Sequence, residues 1–350
     1  MERMRLGKTG MMVSKLGFGG IPIQRLTQDD AVAVIKRCLD LGITYLDTAN
    51  AYTTSEECIG KAIAGRNRKD IIIATKTGAR DRAGAEKHLQ LSLKHLGTDY
   101  IDLYQFHNIA DKDSFNKVMA PGGAMEVFQE AKKAGVIKHI GVTSHSLDMA
   151  KEMVVSDIFE TILFPFNFIT DEAERELLPL CREHDVAFIC MKPLAGGMLD
   201  NATICFKYLF NFPDVIAIPG IEKISEIEEI VGILNRPYKM TKAEEQEMQR
   251  LRDELGSSFC HRCDYCRPCT NDIQISTVMI APSFFKRQPP ERFFTGGTAE
   301  AVLKAADCTE CGECETRCPY HLHIIDTLSE RVVWFREEKA RYEATLVKKG

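Results

Sequence analysis

Eight of the chain's 13 cysteines crowd into two short runs. The first reads Cys260-His-Arg-Cys263-Asp-Tyr-Cys266-Arg-Pro-Cys269, the second Cys308-Thr-Glu-Cys311-Gly-Glu-Cys314-Glu-Thr-Arg-Cys318-Pro319. Steps of three residues gather thiolates on one small patch, as an iron–sulfur cluster requires, and the second run ends in the Cys-Pro of a cluster-binding segment. A different constellation lies nearer the start. Asp47, Tyr52, Lys76 and His107 each fall at or just after the end of a strand-like apolar run. A hydride added to a carbonyl carbon leaves an alkoxide that must be protonated. Tyrosine can give that proton, although its ordinary pKa is about 10. A neighbouring ammonium stabilises the phenolate and brings the pKa towards working pH. Lys76 would supply the ammonium, Asp47 would hold its charge, and His107 would orient and polarise the carbonyl.

Other readings of these residues exist. Zinc takes two Cys-x-x-Cys pairs per ion, but four cysteines at step three ending in Cys-Pro suit clusters better. Disulfides need an oxidising compartment. The opening Met-Glu-Arg-Met-Arg-Leu-Gly-Lys-Thr-Gly has no apolar core segment, so no secretory leader is expected and the cytoplasm is the expected compartment. The five scattered cysteines, Cys38, Cys58, Cys181, Cys190 and Cys205, read as small buried apolar residues. Taken singly, the aspartate could cap a helix, the lysine be solvated, and the histidine and tyrosine be packing. Four such residues at successive strand ends favour the chemical reading.

The elements that must hold them alternate. Strand-like runs occupy 15–18, 45–47, 71–75, 101–106, 139–143, 161–164, 187–191 and 215–218. Helical patterns follow at 28–41, 56–64, 84–96, 124–134, 147–155, 172–184, 202–210 and 224–234, with Thr27 the N-cap of the first. Eight such units fit a closed (β/α)8 barrel, whose reacting groups sit at the carboxyl ends of its strands. An open doubly wound sheet would carry Gly-x-Gly-x-x-Gly after its first strand, and Gly17-Phe-Gly19-Gly20-Ile-Pro22 does not match. Residues 4–14 read as a hairpin ahead of the barrel. A charged helix over 241–255 ends the first domain, expected at 1–255. The cluster domain, 256–350, is expected to be small, helical and ferredoxin-like, with a long polar tail helix whose Trp334 packs against it.

The tetrad resembles that of the aldo-keto reductase family over about residues 3–235, leading hairpin included. The resemblance implies a parallel (β/α)8 TIM barrel that reduces an aldehyde or ketone, or oxidises the alcohol, with NADP or NAD. Asp47, Tyr52, Lys76 and His107 match the family's catalytic tetrad, Tyr52 as its proton donor. Gly141-Val-Thr143-Ser144 stands where the family's Gly-Val-Ser-Asn grips the carboxamide of the cofactor, and Phe164 where a carboxamide-binding Gln is expected. Met191-Lys-Pro193-Leu194-Ala-Gly196-Gly197 replaces Tyr-Ser-Pro-Leu-Gly, so methionine stands in for the aromatic that covers the nicotinamide. Gly20 is a further cofactor candidate. Ile218-Pro-Gly220 meets the cofactor-phosphate segment, but Gly220 and Glu226 occupy the places of the Lys and Arg that serve the 2′-phosphate of NADP. Glu229 adds a second carboxylate there and Lys223 a compensating charge. The Lys-Pro-Leu-Ala-Gly-Gly version is similar to the branch of the family with a ferredoxin-like tail.

That tail implies two 4Fe-4S clusters. In two-cluster ferredoxins the fourth cysteine of each run serves the other cluster, which assigns Cys260, Cys263, Cys266 and Cys318 to one and Cys308, Cys311, Cys314 and Cys269 to the other. The first run departs from the pattern: its last gap is two residues, and Thr270 stands where proline is common.

Composition bounds the function. The 350 residues are 45% hydrophobic and carry a formal charge of −5, which suits neither nucleic acid nor an anionic membrane surface. No apolar stretch approaches the ~20 residues of a membrane span. The leading expectation is a redox enzyme acting on a small carbonyl or alcohol, with electron transfer through the clusters and a redox partner protein. One hydride carries two electrons and each cluster passes one, so a flavin on a partner would be needed to join them; no flavin motif is evident in the chain. A second reading is a reductase with structural clusters, and a third a non-catalytic barrel subunit or electron-transfer and docking protein. Lys192 and His145 lie near the expected pocket mouth and read as solvated.

Overall fold

The computed structural model describes residues 1–256 and 258–347, the last by backbone alone. The chain parts into two compact units, Met1–Glu245 and Gln246–Gly350. The division falls inside the charged helix Lys242–Gly256 rather than at its end.

The first unit opens with an antiparallel hairpin, β1 (Arg3–Arg5) and β2 (Met12–Ser14). Eight parallel strands follow: β3 (Phe18–Gly19), β4 (Tyr45–Asp47), β5 (Ile72–Thr77), β6 (Ile101–Phe106), β7 (Ile137–Thr143), β8 (Thr161–Pro165), β9 (Ala187–Met191) and β10 (Val215–Ile218). They pair in chain order from β3 to β10. Parallel bridges from Leu16 to Ala217 and from Gly19 to Gly220 join the first strand to the last, closing the barrel. The first strand begins at Phe18, later than its apolar run, where pairing with Leu46 of β4 begins.

Alternate residues face inward. Tyr45, Ala74, Leu103, Leu163, Ile189 and Ile216 form the barrel interior, with Met4, Leu6 and Val13 of the hairpin packed into the same cluster. One pleat further along, the inward positions are Asp47, Lys76, Gln105 and Met191. Gly141 is required here, because a Cβ would stand 3.1 Å from Gln105 Cγ and 2.3 Å from Thr161 Oγ1.

Helices wrap the outside. The first, Gln28–Asp40, starts where expected, with the Thr27 hydroxyl accepting from Asp30 N at 3.2 Å. The pattern over 172–184 yields two helices, Glu172–Glu176 and Leu178–Glu183, because Pro179 offers no N–H to continue the ladder. An unexpected helix, Lys112–Met119, follows β6 and is capped by Asp111, which accepts from Ser114 N at 2.7 Å. At the opposite end of the barrel from the tetrad, Lys15 is buried and donates to Phe210 O at 2.9 Å, a structural use of a charge.

The second unit has two small cores. Ile273, Ile275, Val278, Met279, Leu322, Ile324, Leu328 and Val332 pack with Cys266, Cys314 and Cys318. Phe293, Phe294 and Phe335 pack with Trp334 and Tyr342, so the tryptophan of the tail helix, Ile324–Val347, lies against Phe285 and Phe293 in this unit as expected. Among the described residues no helix is long and apolar enough to cross a membrane.

Candidate active site and thiol sites

Adjacent parallel strands set the barrel site. Register places Lys76 of β5 beside Gln105 of β6, and β4 ends at Asp47. The Lys76 ammonium bonds the Asp47 carboxylate and also donates to Thr48 O at 2.7 Å. Gln105 Nε2 donates to the other Asp47 oxygen at 3.2 Å. Both charged side chains are buried, at 2% and 5% exposure, so the pair is desolvated. Burial raises the Asp47 carboxyl above its ordinary value, and the Lys76 ammonium and the Gln105 amide pull it back. Lys76 Nζ lies 5.3 Å from the centre of the Tyr52 ring. The half-buried Tyr52 and His107 rings meet edge to face, 5.7 Å apart at 81°. The structure therefore brings all four residues of the tetrad together.

Gln105 was not singled out by sequence, where it reads as one polar residue in an apolar strand. Its signal is its place two residues before His107, which puts it on the inward face. Its Oε1 is buried without a hydrogen-bond partner, as is Asn50 Nδ2 in the turn between Asp47 and Tyr52.

The remaining candidates lie at the same ends of the strands. Gly20 follows β3 and donates to Asp47 O at 2.8 Å. A Cβ on it would approach Ser55 Oγ to 2.7 Å. Thr143 ends β7 and Ser144 follows it, and both hydroxyls serve the turn after β6. Thr143 Oγ1 accepts from Asn108 N at 2.7 Å, and Ser144 Oγ donates to Ile109 O at 2.7 Å. Met191 ends β9, half-buried, and leads into a loop with buried Pro193 and partly exposed Leu194 and Gly196. That loop holds Lys192, Ala195, Gly196 and Gly197 at positive φ, with Asn167 Nδ2 donating to Lys192 O at 3.0 Å. His145 Nδ1 pairs with Asn108 Oδ1 at 3.0 Å. On β8 the inward residue is Leu163, so Phe164, placed by the resemblance at the carboxamide-binding Gln, turns to the outer face by the period of two. Gly220 is exposed after β10. Glu226 caps the helix Ile224–Leu234, its carboxylate accepting from Glu222 N at 2.9 Å and Lys223 N at 3.0 Å.

In the second unit the eight thiols surround two cavities. One is lined by Cys260, Cys263, Cys266 and Cys318, the other by Cys269, Cys308, Cys311 and Cys314. Each run contributes three cysteines to one cavity and its fourth to the other. Left-handed residues recur at equivalent places, two after the first cysteine and one after the second: Arg262 (φ 63°) and Asp264 (62°), then Glu310 (54°) and Gly312 (78°). The runs thus share a backbone twist despite the shorter last gap of the first. Among the described residues no three His, Cys, Asp or Glu side chains converge on a point that could hold a single ion, and each set of four encloses a space instead. Burial, then Asp264 and neighbouring thiols, pushes the Cys266 thiol up to about 12. Metal loading must therefore displace protons. The five scattered cysteines are all buried, and burial raises the Cys38, Cys181 and Cys205 thiols to about 12.

Comparison with known proteins gives the family of each part of the chain. Residues 15–203 match the model of the aldo/keto reductase family, and residues 259–323 match a 4Fe-4S dicluster domain. The oxidoreductase YqkF of Bacillus subtilis, itself uncharacterized, is 33% identical over 213 residues, covering 57% of this chain and 67% of that protein. The holo form of aldo-keto reductase AKR11C1 from Bacillus halodurans superposes with a TM-score of 0.63 at 27% identity, over 72% of this chain and 96% of that one. An aldo-keto reductase from Klebsiella pneumoniae, solved in complex with NADPH, shares the fold at 22% identity with a TM-score of 0.60, over 72% and 95%. A closed eight-stranded barrel, a matching family model over more than half of the chain and a second matching model over the cysteine runs lead to one assignment: the chain is an oxidoreductase of the aldo/keto reductase family with a C-terminal 4Fe-4S dicluster domain.

Proposed function

We propose that the barrel reduces an aldehyde or ketone, or oxidises the corresponding alcohol, with Tyr52 as the proton donor and acceptor. The observation that carries this reading is the buried Lys76 ammonium, held by Asp47 and Thr48 O and standing 5.3 Å from the Tyr52 ring. A nicotinamide cofactor, when bound, supplies or takes the hydride. The chain's own residues manage the proton. The Lys76 charge favours the phenolate over the phenol and so makes Tyr52 a stronger acid. Asp47 supplies the countercharge to the buried Lys76 ammonium. His107, edge-on to Tyr52, donates to the substrate oxygen and sets the carbonyl between the two rings.

The mouth of the barrel suits such a cofactor. Gln105 Oε1 and Asn50 Nδ2 are a buried acceptor and a buried donor without partners, as an amide-bearing ligand would need. Met191 offers a polarizable apolar surface. Gly20, Thr143, Ser144, Pro193, Leu194, Gly196 and Gly220 line the strand ends along which the cofactor would extend. NADP and NAD both fit the fold. The Glu226 carboxylate, seated on the amides of Glu222 and Lys223, weighs towards NAD, since a 2′-phosphate near it would meet like charge.

In the second unit we assign Cys260, Cys263, Cys266 and Cys318 to one 4Fe-4S cluster and Cys269, Cys308, Cys311 and Cys314 to another, supported by the two four-thiol cavities. Clusters supply one-electron chemistry when bound, and exchange with a redox partner protein is their proposed use. A small carbonyl substrate and a cytoplasmic setting complete the reading. The test is anaerobic purification, iron and sulfide analysis, then a carbonyl and alcohol panel with both nicotinamides. Eight irons and eight sulfides per chain with turnover of a carbonyl are expected. Stoichiometric zinc without sulfide refutes the cluster assignment, and no turnover across the panel refutes the barrel's.

A further inference from the structure

We infer that Arg80 is a positioning residue for His107, acting through the turn that carries it. This rests on the proposed role of His107 at the substrate oxygen. Arg80 lies four residues beyond Lys76, in the loop between β5 and the helix Arg82–Leu96. It is half-buried, and its guanidinium reaches across to the neighbouring strand end. Nη2 donates to His107 O at 2.8 Å and to Asn108 O at 2.9 Å, and Nη1 to Gly78 O at 3.2 Å.

Those two carbonyls define two consecutive peptide planes. Aimed at a single nitrogen, they fix the conformation of the residue between them. That residue, Asn108, has φ of 55°, in the left-handed region that most side-chain-bearing residues avoid and asparagine tolerates. Its remaining ties come from the next strand and the turn after it: Asn108 N donates to Thr143 Oγ1 at 2.7 Å, Asn108 Oδ1 pairs with His145 Nδ1 at 3.0 Å, and Ile109 N donates to Thr143 O at 2.9 Å. On the other side, His107 N donates to Thr77 O at 2.8 Å. The turn after β6 is thus pinned to β5 and β7 by neutral bonds, and Arg80 adds a charged, planar fork on the carbonyl side. Released from it, Asn108 can relax to negative φ. The peptide after His107 then rotates, and the imidazole leaves its edge-on place against Tyr52.

A positioning role separates from general damage in a double-mutant cycle. Arg80→Met removes the fork and keeps an apolar stem. It should lower kcat for carbonyl reduction by about 10- to 100-fold, the range for a displaced catalytic group, with KM changed by less than about threefold. In a His107→Ala background the same substitution should cost less than about twofold, because the group it positions is gone. Arg80→Lys keeps the charge and one donor direction, and should lose about three- to tenfold. Thermal midpoints confirm that each protein is folded, and the cycle is run with Arg80→Lys if Arg80→Met yields no folded protein. Equal losses in both backgrounds, or full activity of the Arg80 variants, would overturn the inference while leaving the proposed chemistry standing. Full activity of His107→Ala alone would remove the role of His107 itself, and this inference with it.

Discussion

Removing the Lys76 charge should shift the acidity of Tyr52 by an amount the geometry sets. The ammonium lies 5.3 Å from the centre of the phenol ring. At an effective dielectric of about 20, a unit charge at that distance stabilises a phenolate by about 3 kcal/mol, or about 2 pH units. In Lys76→Met that stabilisation is lost and the phenol pKa rises. Alcohol oxidation needs the phenolate, so kcat/KM for oxidation, which climbs with pH through this pKa, should climb about 2 units later. At neutral pH the rate should fall about 100-fold. The substitution also strands Asp47, buried and unpaired, at a cost of about 3–5 kcal/mol in stability. Asp47→Asn/Lys76→Met removes both charges and should fold better than the single variant, while its limb still moves to higher pH, by a smaller step. The assay is the pH profile of kcat/KM in wild type and both variants, with unfolding followed by circular dichroism. A limb that stays within about half a unit in Lys76→Met would refute the reasoning, because no acidifying charge could then be acting on the proton donor.

Two further outcomes follow from other parts of the barrel. Glu226→Arg replaces the carboxylate at the start of the helix Ile224–Leu234 with a cation, and should raise the preference for NADPH over NADH in kcat/KM by about tenfold or more, the worth of one charge contact of about 1.4 kcal/mol. Unchanged selectivity would displace the cofactor-phosphate segment from this position. Glu160 sits at the opposite end of β8, bonded to His139 Nδ1 at 2.7 Å, Lys132 Nζ at 2.6 Å and Ile140 N at 3.0 Å. Burial alone would raise its carboxyl, but these three donors outweigh it and hold it at about 2, against an ordinary 4.5. A depressed carboxyl stabilises the fold above its unfolded pKa, and that stability drains as pH falls from about 4.5 towards 2. Glu160→Gln should therefore cost about 2–3 kcal/mol at pH 7, read as a lowered barrel melting point, and progressively less below pH 4. A difference that is independent of pH would show that packing, not charge, is what the substitution removed.

Much of this site is legible in the sequence. Asp47, Tyr52, Lys76 and His107 stood out because strand ends can be found from apolar runs, and because four such residue types share one chemistry. The split of the thiols into two sets followed from the likeness of the runs to two-cluster ferredoxins, and the two cavities divide the cysteines in that way. Side-chain direction was harder to read. Along β8 every residue is buried, so no polar alternation marks which face is inward, and attention fell on Phe164 when Leu163 faces the interior. The same uniform burial along β6 hid Gln105. Helix ends that depend on one atom were also missed, as at Pro179, which lacks an N–H, and at Asp111, whose carboxylate starts a helix in a segment that reads as loop. Arg80 carried no signal at all, since two of its three carbonyl partners lie 27 and 28 positions away in the chain.

The most direct test is the kinetics of Tyr52→Phe in the cluster-loaded protein, with a carbonyl that wild type reduces. Phenylalanine keeps the ring against His107 and removes only the hydroxyl that carries the proton. The account predicts a loss of about 10²- to 10⁴-fold in kcat with cofactor affinity unchanged. Reduction at the wild-type rate would contradict it.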